Sequence, residues 1–353
     1  MVILITGGAG FIGSNLAIYI KNKFPSFTIY AFDNLKRRGS ELNIPRLKEN
    51  GIHFLHGDIR NREDFDVLPQ MDIIIDASAD PSVLAGIESS VFPLINTNLL
   101  GTVNCLELAN KFKAAFIFLS TSRVYPIHTL EACKFTELET RFVWQDNQPM
   151  PGVSSKGITE NFSLDGSRSF YGTSKLASEL IIQEYNALKG IKTVINRCGV
   201  VSGPWQMGKT DQGVIALWLA RHHFKGSLNY IGYGGKGKQM RDVMHVDDLA
   251  DLICYQIENL DTVSGKTFNA GGGLDCSFSL LELTELCQEL TGNKIPIGSI
   301  DQNRSADIRI YVSDYSKLNG LTGWKPKRTL KQLLNDTYSW MKQHEQHLKN
   351  IFE

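Results

Sequence analysis

The sequence predicts an α/β fold built on a doubly wound parallel sheet, with a smaller α/β region towards the C-terminus. Three features carry this expectation. Over the first two-thirds of the chain, short apolar runs alternate with helical patterns, the signature of a parallel sheet covered on both faces. A glycine-rich turn follows the first apolar run and opens a helix. An aspartate closes the second run.

The elements follow in order. Residues 2–6 are apolar, too short for a helix, and read as a strand. Residues 11–21 repeat apolar side chains at helical spacing. A second strand, 28–32, ends at Asp33, and a third, 52–55, is followed by Gly57 and Asp58. Residues 72–76 read as a fourth strand, with a long helix at 96–112 after it. A fifth strand, 115–119, runs into Ser120, Thr121 and Ser122. A second long helix covers 169–188, and a sixth strand 192–196. Between 129 and 166 the rhythm breaks. That stretch is polar and carries Pro149 and Pro151, so it is either functional or disordered. After Gly203 the pattern is mixed, with glycine-rich stretches at 232–237 and 271–273 and helices at 280–291 and 330–348. A dinucleotide domain is expected over 1–200. A mainly substrate-binding domain is expected over 201–353, with some segments returning to the first.

Composition narrows the class. Hydrophobic residues make up 42% and charged residues 21%, and 37 basic residues balance 37 acidic ones. The densest basic cluster is Lys36, Arg37 and Arg38, too small a footprint for nucleic acid or an acidic membrane. No segment reaches the roughly eighteen apolar residues of a membrane span. The six cysteines (Cys105, Cys133, Cys198, Cys254, Cys276, Cys287) form no Cys-x-x-Cys pair. They are expected to be small buried thiols in a cytoplasmic protein, and no metal site is expected.

The turn reads Gly7-Gly8-Ala9-Gly10-Phe11-Ile12-Gly13. Gly7 permits a tight turn, Gly10 lets a pyrophosphate approach the backbone, and Gly13 lets the helix pack closely. The first amides of the helix, at Phe11 and Ile12, point at the phosphates. Asp33 lies twenty residues beyond Gly13, where a carboxylate takes the adenosine ribose hydroxyls and repels a 2′-phosphate. This is a Rossmann-type arrangement, and it favours NAD over NADP. Asp58 and Ile59, after the third strand, are placed for the adenine.

Tyr171 and Lys175 are four residues apart on a predicted helix and share a face. Thr121 stands at the carboxyl end of a central strand, where open α/β sheets bind ligands. A free tyrosine has a pKa of about 10, and bringing it near 7 needs about 4 kcal/mol. An ammonium about 4 Å away supplies that at an effective dielectric of about 20, and a cationic nicotinamide ring adds to it. Tyr171 would then take a proton from a sugar hydroxyl held by Thr121 while hydride leaves for NAD. Lys175 would also bond the nicotinamide ribose.

With these residues in view, the chain resembles the extended short-chain dehydrogenase/reductases of the NAD-dependent epimerase/dehydratase family. It looks most like the branch of CDP-paratose (CDP-tyvelose) 2-epimerases. The marks are GGAGFIG at 7–13, FDN at 32–34, GDIR at 57–60, NLLGT at 98–102, STSRVYP at 120–126, YGTSK at 171–175, DQG at 211–213 and GKQMRDVMHVDDL at 237–249. ETRFVW at 139–144, DQG and the long polar segment point to the 2-epimerase branch. The resemblance implies a nucleotide-diphosphate sugar held between two domains, with Arg241 and Arg304 on its pyrophosphate and Gln212 facing the sugar. Asn34, Ala77, Ala79 and Asn98 are implied at the cofactor, and Ser122, Arg123 and Arg197 at the substrate. It also implies a homo-oligomer, dimer or tetramer, through the two long helices. Ser122 and Arg123 stand where the 4,6-dehydratases carry an Asp-Glu acid/base pair, so dehydration loses its general acid. Asp76 and Asp80 depart from the usual family residues.

The reaction expected is inversion at C2 of a CDP-linked hexose through a transient 2-keto sugar. The alternatives are 4-epimerisation or reduction of another nucleotide sugar. A non-catalytic dinucleotide-binding protein would not need Tyr171 and Lys175.

Overall fold

Ile3, Leu4 and Ile5 are wholly buried, as a strand covered on both faces requires. A computed structural model describes residues 1–207 and 213–352. The chain forms two units. The first comprises Met1–Val124, Phe170–Arg197 and Leu249–Phe268. The second comprises Tyr125–Ser169, Cys198–Asp248 and Asn269–Glu353. The division is therefore not a single cut near residue 200. Residues 125–169 fall in the second unit, and 249–268 return to the first.

The first unit carries all but the last residues of a seven-stranded sheet. Its strands are β1 (Val2–Thr6), β2 (Thr28–Asp33), β3 (His53–His56), β4 (Ile73–Asp76), β5 (Ala115–Thr121), β6 (Thr193–Cys198) and β7 (Lys266–Ala270). They lie in the order β7, β6, β5, β4, β1, β2, β3. The pairs among β1 to β5 are parallel. The order reverses direction between β1 and β4, where Thr6 stands beside Asp76. Open sheets of this kind bind ligands at that reversal, outside the carboxyl ends of the strands.

Helix α1 (Phe11–Lys23) follows the glycine turn. The helix expected at 96–112 begins earlier, at Phe92–Ile95, and passes through a π-helical turn at Asn96–Leu100 before α2 (Gly101–Phe112). Helix α3 (Phe170–Lys189) is the expected second long helix. Leu106, Leu108 and Ala109 of α2 and Ile182 of α3 join Leu4, Ile74, Phe116 and Phe118 of the sheet in one apolar core.

The second unit has its own small sheet. Strand Met240–His245 pairs with Val200–Ser202 and Ile310–Tyr311 in parallel and with Ser277–Ser279 antiparallel. The polar stretch 129–166 is ordered as two hairpins, Phe135–Glu137 with Phe142–Trp144 and Val153–Ser154 with Gly157–Ile158. Buried Phe142, Trp144, Ile158 and Phe162 anchor it. The helix expected at 330–348 is two, Leu330–Gln343 and Glu345–Phe352. The break falls at His344, whose ring lies 4.7 Å from that of Trp205.

Candidate active site

The turn after β1 is shaped by backbone contact. Gly7 has φ +63°, and a Cβ there would lie 2.8 Å from the Ala77 carbonyl oxygen. A Cβ on Gly13 would lie 2.2 Å from the Gly7 carbonyl oxygen, so α1 packs directly on the turn. Gly8, which the sequence pattern did not single out, meets β2: a Cβ would come within 2.6 Å of the Ala31 Cα. Gly10 precedes α1 in extended conformation and no side chain caps the helix. The amides of Phe11 and Ile12 are thus available to an anion.

Asp33 faces this turn from the end of β2. Its carboxylate accepts N–H bonds from Ala9 at 3.1 Å and Leu35 at 2.7 Å. Burial pushes its pKa up, and these N–H groups pull it back. Each oxygen keeps acceptor capacity for a ribose hydroxyl. Asn34 donates to Asp58 at 2.9 Å, and Arg60 grips both Asp58 oxygens through Nε at 2.9 and 3.0 Å. That guanidinium holds the Asp58 carboxyl well below the usual range. The carboxylate expected near the adenine is thus engaged by its own loop. The Ile59 side chain is buried, close enough to α2 that a Cβ on Gly101 would meet its Cδ1 at 2.5 Å.

Asp76 is a structural anchor. Its oxygens accept hydroxyl hydrogens from Thr6 and Thr102, both at 2.8 Å, and the Ser78 N–H at 3.1 Å. Ala77 donates its N–H to the Thr6 carbonyl at 3.3 Å, so 77–79 leave β4 beside the glycine turn. Asn98, in the π-helical turn, exchanges bonds with the Asp80 backbone in both directions, at 2.8 and 3.1 Å, and donates to Ser174 at 3.2 Å. It is wholly buried and ties the loop after β4 to α3.

Thr121 ends β5, and its Oγ1 accepts the Arg123 N–H at 3.2 Å. This leaves the Thr121 hydroxyl hydrogen to donate. Ser122 and Arg123 form the turn Ser122–Val124. Tyr171 and Lys175 stand one helical turn apart in the first two turns of α3, both buried. Lys175 is 1% exposed, and its ammonium lies 3.8 Å from the centroid of the Phe118 ring on β5. That cation–π contact offsets part of the cost of burial.

Arg197 lies at the end of β6 and is buried. It pairs with Glu179 of α3, with Nε at 3.1 and 3.0 Å from the two carboxylate oxygens and Nη2 at 2.7 Å. Ser120 donates to the same carboxylate at 2.5 Å. Both charged side chains are buried. Glu179 was overlooked in the sequence. The signal was present, because it falls four residues after Lys175 on the same helical stripe.

In the second unit Arg241 pairs with Asp307 at 2.9 Å, not with the adjacent Asp242, and also donates to the carbonyl of Ile308 at 2.6 Å. Arg304 is exposed. Gln212 lies outside the described residues. Among the described residues no group of three His, Cys, Asp or Glu side chains could hold a metal ion. No helix of the described chain is long and apolar enough to cross a membrane.

A cradle that any Cβ would fill, uncapped helix amides and a carboxylate at the next strand end fit a dinucleotide. Residues 3–271 match the NAD dependent epimerase/dehydratase family. The chain belongs to that family. Its enzymes act as epimerases and dehydratases with NAD, and the Rossmann sheet and glycine turn here are those of a family member. The chain is 32% identical over 348 residues to a CDP-paratose 2-epimerase of Salmonella typhi, covering 96% of this chain and 99% of that one. It is 26% identical to a dTDP-glucose 4,6-dehydratase of Salmonella typhimurium, covering 99% and 95%. The structure of Pal from Bacillus thuringiensis is similar with a TM-score of 0.79 at 25% identity, covering 97% of this chain and 99% of that one.

Proposed function

We propose that this enzyme inverts C2 of a CDP-linked hexose through a transient 2-keto sugar. One observation carries the choice of carbon and nucleotide: 32% identity to a CDP-paratose 2-epimerase along nearly the whole of both chains. The chemistry is supported by the placement of Tyr171 and Lys175 one turn apart and buried on α3.

The glycine turn, the amides of Phe11 and Ile12, and Asp33 would hold the cofactor. Bound NAD supplies a hydride acceptor that returns the hydride, so no net redox change results. Thr121 donates to the substrate hydroxyl and orients it. Tyr171, as phenolate, accepts the hydroxyl proton as the carbinol becomes a carbonyl. Lys175 stabilises the phenolate by charge. On the return, Tyr171 gives the proton back to the oxygen of the re-formed alcohol. Arg241 and Arg304 supply the planar donors that a diphosphate takes. Ser122 and Arg123 offer no carboxyl acid, which argues against dehydration.

The test is turnover of CDP-paratose carrying deuterium at C2, followed by NMR. Inversion at C2 with the label retained on that carbon is expected. Inversion at C4, loss of water, or consumption of a reduced cofactor would replace this reading with another.

A further inference from the structure

Tyr171, Lys175 and Glu179 follow one another at intervals of four along α3 and so share one stripe of the helix. A carboxylate four residues beyond a buried lysine is a natural partner for its ammonium. Here that carboxylate is claimed from the other side. One Glu179 oxygen accepts from Ser120 and from Arg197 Nε, and the other accepts from Arg197 Nε and Nη2. Ser120 and Phe118 are two residues apart on β5 and point to the same face. The strand therefore offers a ring to Lys175 and a hydroxyl to Glu179 at neighbouring positions.

We propose that Glu179 and Arg197 are positioning residues whose opposite charges, one helical turn beyond Lys175, balance each other and so set the field at the Tyr171 phenol. With Ser120 they also pin this face of α3 to the end of β5, where Thr121 stands. The proposal rests on Tyr171 being the acid/base group of the reaction above. Charges act strongly over several ångströms in a buried setting. An unbalanced charge on either partner must therefore move the phenol's ionisation. The other titratable groups on elements packed against α3 are Cys105, Glu107 and Lys111 of α2 and Arg123 after β5. Asp76 and Asp80 lie at the end of β4 and just beyond it. Glu107 is bonded to Tyr185, further along the helix.

The experiment titrates the Tyr171 phenol of the NAD-loaded protein by its ultraviolet phenolate absorbance. Subtracting the same variant carrying Tyr171→Phe isolates one phenol among eleven tyrosines. Glu179→Gln removes a negative charge from this face of α3 and should lower the pH of ionisation. Arg197→Met leaves the carboxylate unbalanced and should raise it. Each should change the phenolate-to-phenol ratio at fixed pH by about tenfold. Glu179→Asp and Arg197→Lys keep both charges and should not move it, so either arm decides the matter if one neutral variant fails to fold. Shifts of the same sign in both neutral variants, no shift, or equal shifts in the charge-keeping variants would overturn the proposal. The phenol titrates without turnover, so such a failure leaves the epimerase reading standing. That reading would instead fall if Tyr171→Phe kept full turnover.

Discussion

Thr6 donates its hydroxyl to Asp76 at 2.8 Å across the point where the sheet reverses its strand order. With Thr102 on α2 and the Ser78 N–H, the carboxylate draws four segments together in a fully buried place. Asp76→Ala strands those donors and should cost about 2–4 kcal/mol, the scale of buried unsatisfied groups. Urea unfolding at a fixed pH measures it. Asp76→Asn keeps one acceptor oxygen and should be milder.

The glycine turn predicts a graded response. Gly13→Ala would put a methyl 2.2 Å from a carbonyl oxygen of the same turn, whereas at Gly10 the corresponding approach is 3.1 Å. Gly13→Ala should therefore lose NAD binding and thermal stability together. Gly10→Ala should keep its melting temperature better and lose mainly NAD affinity. Calorimetric titration with NAD, read beside thermal unfolding, separates the two.

Tyr171→Phe should lower turnover by about 10²–10⁴-fold, the usual weight of a positioned acid/base group. NAD affinity should change little, because the phosphate turn is untouched. Rates with a CDP-hexose, together with NAD titration, check both halves.

Asp242 gives a pH dependence with a definite sign. It is completely buried, and burial pushes its pKa up from 3.8 to about 6 despite the Gly273 N–H at 3.1 Å. Between those values the folded protein holds a proton that the unfolded chain has lost. Stability therefore falls as pH rises through this window. Asp242→Asn cannot ionise, so it should gain about 3 kcal/mol relative to the native sequence between pH 4 and pH 7. Denaturant unfolding at a series of pH values tests this.

All six cysteines are buried thiols outside any disulfide. Burial pushes the thiol of Cys133 up to about 11 and that of Cys254 up to about 12, and raises Cys105, Cys276 and Cys287 as well. A thiol-exchange reagent at pH 8 should find almost no fast-reacting group in the folded protein and all six after denaturation.

Strands β1 to β6 lie close to where their patterns placed them, because a parallel strand buried on both faces is a continuous apolar run. Helix α3 does too, whereas the helix expected at 96–112 begins earlier and carries a π-helical turn. Asp33 and the glycine turn were legible for a similar reason, since local spacing fixes their geometry. The hairpins at Phe135–Glu137 and Val153–Ser154 were not. Strands of two or three residues show no period, and buried aromatics scattered among polar residues hold them. Strand β7 went unseen because it returns to the sheet after a long excursion through the second unit. The bond between Arg197 and Glu179 was not legible, because the two stand 18 residues apart on different elements and meet only in the fold. The grip of Arg60 on Asp58, two residues back, is likewise a contact that the strand-end spacing does not reveal.

The interleaving of the two units constrains how such a gene can be rebuilt. A protein ended after residue 200 would lack β7 and leave β6 as an uncovered sheet edge, an invitation to aggregation. Recombination that exchanged only the C-terminal half with a relative would therefore splice foreign sequence into the nucleotide-binding sheet. Grafting a new substrate unit needs several crossovers, at the junctions near residues 125, 170, 198, 249 and 269.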